Sequence, residues 1–209
     1  EFSSNCGTVE EKFNAKAFVS FNRRFFSSTL SMLSQLKKNN QQRLIEVSDQ
    51  EEPLTLDRPD EVHKNWMYAN SIHLIDYLNF VGRGSINKVT PIVSWNPKNP
   101  KFVITKIEYS SGDIGIYKAL WNSPGPWSVS VSTQEKRFEL KPLEQASVQL
   151  RGSRQITLLD QDEWDKKFKP GLRMQAEEIL KELNGQSSLL VSLEENLKTM
   201  QLVKDIYEL

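Results

Sequence analysis

The chain is short of the residues that most metal, redox and thiol chemistries need. Cysteine occurs once, at Cys6, and histidine twice, at His63 and His73. A single cysteine excludes an internal disulfide, a cysteine zinc cluster and an iron–sulfur centre built by one chain, and a reducing, cytoplasmic setting is expected. No His-Glu-x-x-His zinc motif is present, and no metal site is expected. Neither charge is in excess, since 27 Lys and Arg balance 27 Asp and Glu in 209 residues. That balance removes the electrostatic reason for nucleic acid or an anionic membrane as the main partner. No apolar run approaches the roughly 20 residues that span a bilayer, and the first residues carry neither a basic n-region nor an apolar h-region. Gly-x-Ser-x-Gly, a Cys-plus-His constellation and a Walker Gly-Lys-Ser or Gly-Lys-Thr are all absent, so hydrolase and P-loop chemistry have no foothold. Gly82-Arg83-Gly84 has Asn87 where the third glycine of a dinucleotide fingerprint would stand.

What is present is a change of period along the chain. Lys16 to Phe21 reads as a strand that ends where Asn22-Arg23-Arg24 begins. Ser27 or Ser28 can cap an amphipathic helix with Leu30, Leu33 and Leu36 on one side, and Arg43 to Val47 reads as a further strand. A helix is expected from about His63 to Phe80, stopped at Gly82-Arg83-Gly84. Seven strand-length runs follow, at 86–95, 102–109, 114–121, 127–133, 137–140, 147–151 and 155–159. They read as one antiparallel sheet with hairpin turns at Ser110 to Asp113 and Arg151 to Arg154. Val129 and Val131 alternate with Ser128, Ser130 and Ser132, which marks one apolar face and one small polar face, open to solvent or a partner. The final helices carry apolar stripes at Leu172, Ala176, Ile179, Leu180 and Leu183, and at Leu193, Leu197, Met200, Val203 and Tyr207. Ser192 to Glu195 is a capping box before the second of them. The expected fold class is α+β, an open, mostly antiparallel β-sheet with helices on one face.

Chemistry concentrates in two places. In Asn70-Ser71-Ile72-His73-Leu74-Ile75-Asp76, the histidine and aspartate lie one helical turn apart, so the carboxylate can orient the imidazole of a general acid or base. The same spacing also suits a histidine satisfied inside a packed helix. Asn22, Arg23 and Arg24 at a strand end suit capture of a carboxylate or phosphate and of sugar hydroxyls, or an ion-paired connection between elements. The five tryptophans suit either sugar stacking or core mass.

Phe18-Val19-Ser20-Phe21-Asn22-Arg23-Arg24-Phe25, Asn70 to Asp76, Phe168-Lys169-Pro170-Gly171-Leu172-Arg173-Met174-Gln175 and the closing Ser192 to Val203 together resemble the Gfo/Idh/MocA oxidoreductases, in order and spacing. The resemblance implies an N-terminal Rossmann domain, of which residues 1–25 are the residual edge, followed over 26–209 by the α+β substrate-binding and dimerisation domain. It implies NAD or NADP in the complete enzyme, with none expected on this chain alone, and hydride exchange with a sugar or nucleotide sugar. Segments such as Trp121 to Trp127 resemble members from surface-polysaccharide pathways. His73 matches the family's active-site histidine. Asn22, Arg23 and Arg24 match the segment joining the domains, while Asn70, Asp76, Lys169 and Gln175 fall in motifs that line the substrate pocket. Two departures stand out: Ala69 where many members place an aspartate, and no Glu-Lys-Pro motif to supply the catalytic lysine. The open sheet face implies a homo-oligomer. The alternative is a non-catalytic sugar-binding or dimerisation module.

Overall fold

The period-2 segments assemble into a single sheet, and a strand from outside the run of seven lies at its centre. The computed structural model describes residues 16–38, 40–53 and 57–209. A short β1 (Phe18–Val19) leads into a 3-10 turn (Asn22–Phe25), α1 (Ser27–Leu36) and β2 (Leu44–Glu51). Then come α2 (Asp60–Lys64), a wide π turn (Met67–Ser71) and α3 (Ile72–Val81). The strands β3 (Ile86–Val93), β4 (Phe102–Tyr109), β5 (Ile114–Trp121), β6 (Ser128–Ser132), β7 (Lys136–Leu140), β8 (Ala146–Leu150) and β9 (Ile156–Leu158) correspond to the seven expected runs. The chain closes with α4 (Glu163–Lys167), α5 (Leu172–Leu183), β10 (Val191–Ser192), which pairs with β1, and α6 (Leu193–Tyr207).

The sheet order is β3-β4-β5-β2-β6-β7-β8-β9. Sequence order makes β5 and β6 neighbours; instead β2 lies between them, parallel to β5 and antiparallel to β6. A parallel pair needs a long crossover rather than a hairpin, and the chain between β2 and β5 supplies it. Both expected hairpin turns form, with Gly112 and Gly152 at φ +84° and +78°, conformations that a side chain would strain.

Alternation decides which face is covered. Val103, Thr105, Ile107 and Tyr109 on β4, and Gly115, Tyr117, Ala119 and Trp121 on β5, are buried against the helices. α3 buries almost its whole circumference, with Leu74, Ile75, Tyr77, Leu78 and Val81 at 2% exposure or less. It ends at Gly82, where a Cβ would fall 2.4 Å from the Tyr109 ring. The opposite sheet face leaves Leu44, Val93, Phe102, Ile156 and Leu158 exposed. α6 starts on the expected cap, with Ser192 Oγ accepting from the Glu195 amide at 3.1 Å.

One amphipathic helix is inverted. α5 buries Gln175 and Glu178 and turns Leu172, Ile179, Leu180 and Leu183 outward. Its stripe lines, with Phe18, Val19 and Leu190, a groove of about 920 Å³ on the surface beside β1.

Candidate functional site

The 3-10 turn after β1 presents two arginines to different surroundings. A turn of three residues rotates adjacent side chains by about 120°, and Arg24 is the one carried inward. Its Nε and Nη2 donate to the two Asp76 oxygens at 2.6 and 2.7 Å, and its Nη1 donates to Glu195 on α6 at 2.5 Å. The Phe80 ring lies 4.5 Å below the guanidinium, and Thr199 Oγ1 donates to Asp76 at 3.1 Å. Burial alone would lower the Arg24 pKa, but the bonds to Asp76 and Glu195 offset it and leave the pKa raised. Burial raises the Asp76 pKa while the Arg24 bonds lower it, so the short, parallel bonds rather than the titration define this clamp joining the turn, α3 and α6.

This geometry corrects the expected pairing on α3. Asp76 shares a side of the helix with His73, yet both of its oxygens are committed to Arg24 and no hydrogen bond joins it to the imidazole. His73 is half-buried, packs edge-on against Phe21 at 5.6 Å, and has a buried Nδ1 with no hydrogen-bond partner among the described residues. Nε2 is thus the nitrogen left to meet a ligand. Burial first, then the positive charge of Arg23, bring the His73 pKa from 6.5 down to about 4. The imidazole is neutral at physiological pH, the form a general base requires.

That shift has a sign in stability. The unfolded chain takes up a proton near pH 6.5, whereas the folded chain refuses it until about pH 4. His73 therefore contributes stability that is fully present above about 6.5 and is lost as pH falls toward 4. The difference in unfolding free energy between wild type and His73→Gln, followed by urea titration, should be flat above pH 6.5 and shrink steadily below it. A difference that stays constant from pH 7 to 4 would show that the ring is not desolvated.

Arg23 has the opposite character to Arg24. Its guanidinium lies 4.8 Å over the Trp127 ring and makes no hydrogen bond or ion pair with the described residues. Its backbone carbonyl is held by Thr29 Oγ1 at 3.0 Å and the Tyr77 hydroxyl at 3.2 Å. Burial lowers its pKa, although an arginine keeps its charge. The Asn22 side chain beside it is half-buried, and its carbonyl backs onto Gly171, where a Cβ would fall 2.4 Å away. Gln175 donates to Ser20 Oγ at 2.9 Å. Lys169 is exposed two residues before Gly171. The structure thus gathers His73, Asn22 and Arg23 at one junction, uses Arg24 and Asp76 to hold that junction, and ties Gln175 to its β1 side.

Asn70 meets a feature that local patterns did not mark. β2 continues its inward stripe Ile45–Val47 with Asp49 and Glu51, both buried. Glu51 accepts from Trp66 Nε1 at 2.5 Å, Asn70 Nδ2 at 2.8 Å and Ser71 Oγ at 2.6 Å, so it fixes the π turn from which His73 follows. Asp49 accepts from the Tyr117 hydroxyl at 2.8 Å, which meets Tyr207 at 3.1 Å; Tyr207 in turn donates to Ser71 at 3.3 Å. Burial, then the adjacent Glu51, push the Asp49 pKa well up. The only sequence signal was the alternation itself, in which Asp49 and Glu51 share a face with Ile45 and Val47.

Gly82 to Gly84 connects a helix to a strand, the reverse of the strand-to-helix turn that offers backbone N–H groups to a pyrophosphate. Arg83 within it is bonded to Asp113 through Nε at 2.9 Å and Nη2 at 2.7 Å. Among the described residues no group of three or more His, Cys, Asp and Glu side chains could hold a metal ion, and no helix is long and apolar enough to cross a membrane.

No protein-family model matches the sequence, and no curated protein is significantly similar to it. Solved structures are similar in fold. The aldose-aldose oxidoreductase from Caulobacter crescentus matches with a TM-score of 0.75 at 14% identity, covering 96% of this chain and 63% of that one. UDP-N-acetylglucosamine 3-dehydrogenase from Acidithiobacillus ferrooxidans matches at 0.74 and 9%, covering 95% and 63%. The WlbA dehydrogenase from Bordetella pertussis, solved with NADH and UDP-GlcNAcA, matches at 0.65 and 12%, covering 96% and 63%. At these identities the likeness shows the fold. The chain has the α+β architecture of one part of such enzymes and spans less than two thirds of their length, in keeping with the sequence resemblance.

Proposed function

We propose that this chain is the substrate-binding part of an NAD(P)-dependent oxidoreductase that acts on a hydroxyl of a sugar or nucleotide sugar. The observation that carries the reading is the junction of His73, Asn22 and Arg23: a neutral imidazole with Nε2 open beside an unpaired guanidinium, on this fold. His73 accepts the proton of the reacting hydroxyl, Asn22 and Arg23 hold the substrate, and Asn70, Gln175, Arg24 and Asp76 keep the surrounding backbone in place. Lys169, on the exposed segment before α5, reaches the outer part of the ligand. Residues 1–25 are assigned to the edge of a preceding Rossmann domain and 26–209 to the α+β domain. The outward stripe of α5 supports this division, because a soluble domain rarely leaves such a stripe uncovered. The open sheet face, with Phe102, Ile156 and Leu158 exposed, is assigned to contact between copies of the chain in the cytoplasm, and polysaccharide precursors are the substrate class preferred.

The exposed Phe102, Ile156 and Leu158 on the open sheet face support a second reading, in which the chain binds a sugar or mediates assembly without catalysis. The experiment that separates the two is nicotinamide-linked turnover, with a panel of sugars and nucleotide sugars, of the longest form that the native source makes. Turnover that His73→Ala removes supports the first reading. Sugar binding without turnover supports the second.

A further inference from the structure

We propose that the ligand held at His73 carries an anionic group, a carboxylate or a phosphate, and that Arg23 rather than Arg24 is the residue that reads it. This rests on the sugar-binding reading above and narrows its substrate class. The two neighbouring guanidiniums have been separated by the fold. Arg24 has three of its five N–H donors on Asp76 and Glu195 and is 4% exposed, so it is turned away from a ligand. Arg23 has a fixed backbone, through Thr29 and Tyr77, and a fixed platform, since Trp127 Nε1 donates to the Gln50 carbonyl at 2.8 Å. Stacking on the indole occupies one face of the guanidinium and leaves its in-plane N–H fork open.

The charges around that fork do not satisfy it. Asp49 and Glu51 are buried and engaged with Tyr117, Trp66, Asn70 and Ser71. Glu144, half-buried, acts on Arg23 only at longer range, and no carboxylate of the described residues forms an ion pair with it. A half-buried cation without a hydrogen-bonded counter-ion is costly to hold, and the planar fork matches the two oxygens of a carboxylate or phosphate. The neutral His73 beside it adds no second cation and offers Nε2 to a hydroxyl. The two groups together describe a ligand with a hydroxyl at one position and an anion a short distance away, as in a sugar acid or a sugar phosphate.

The test uses the chain as it is, with two histidines to observe. Imidazole ¹H–¹⁵N correlation spectra are recorded at pH 7 and constant ionic strength during titration with glucose, glucuronate and glucose 1-phosphate, with His63 as the internal reference. The expected result is a saturable shift of His73 with one of the anionic sugars binding about 10- to 100-fold more tightly than glucose. The tighter of the two anionic arms identifies carboxylate or phosphate. In Arg23→Gln that preference should fall to within about threefold. Glucose binding as tightly as both anionic sugars in the wild type overturns the proposal and leaves the sugar-binding reading intact, and needs no variant to fold. A preference that survives Arg23→Gln overturns the assignment to Arg23. No shift of His73 with any sugar removes the sugar-binding reading itself, and the proposal with it.

Discussion

Replacing Asp76 by alanine is expected to destabilise the chain by about 3 to 5 kcal/mol, the largest effect of any single change outside the apolar core. The cost is that of an orphaned buried charge. Arg24 and Asp76 have side-chain exposures of 5% and 3%, and the two bonds between them are short and parallel. Removing the carboxylate leaves the guanidinium buried with only Glu195, itself 42% exposed, as counter-ion. Thr199 also loses its acceptor. Chemical denaturation should show the loss as a lower midpoint with an unchanged slope. Glu195→Ala, at the wet end of the same network, should cost about 1 kcal/mol or less. Equal costs for the two variants would mean that the clamp is not buried as described. Replacing both Arg24 and Asp76 with apolar residues should recover much of the loss, since desolvation offsets most of what a buried pair contributes.

In the complete enzyme, His73→Ala is expected to lower kcat by about 10²- to 10⁴-fold, the range for loss of a general base. Among the described residues at the junction the imidazole is the neutral group left open: Asp76 is held by Arg24, and Asp49 is buried and bonded to Tyr117. Because Arg23 and Asn22 remain, KM for the sugar should change little. The split is what identifies the role, since a histidine that merely packs against Phe21 would lower stability without a selective loss in kcat. Steady-state kinetics of wild type and variant at pH 7 to 8 measure it. A kcat within threefold of wild type would assign the proton to another group.

Much of this arrangement was legible in local patterns, and what was not has a common cause. All seven strand runs, both glycine hairpins and the Ser192 cap depend on residues within one or two turns of each other, and all are present. The insertion of β2 between β5 and β6 depends on a crossover, and no residue of β2 advertises its neighbours. The strand expected at Arg43 to Val47 stopped short of Asp49 and Glu51, and their burial was not legible because their donors come from the π turn and from Tyr117. Arg23 and Arg24 are identical in sequence terms; the 3-10 turn separates them. The spacing of His73 and Asp76 suggested a pair, and Arg24, 52 positions earlier, took the aspartate.

The central claim, that this is one part of a two-part oxidoreductase, is tested most directly by the intact mass of the polypeptide in its native source. The chain itself is 24.1 kDa. The expected product is longer by about 100 to 150 residues, the size of one further domain, and is retained by an immobilised nicotinamide dinucleotide. A native product of 24.1 kDa that the dinucleotide does not retain would contradict it, and would leave a sugar-binding or assembly module in its place.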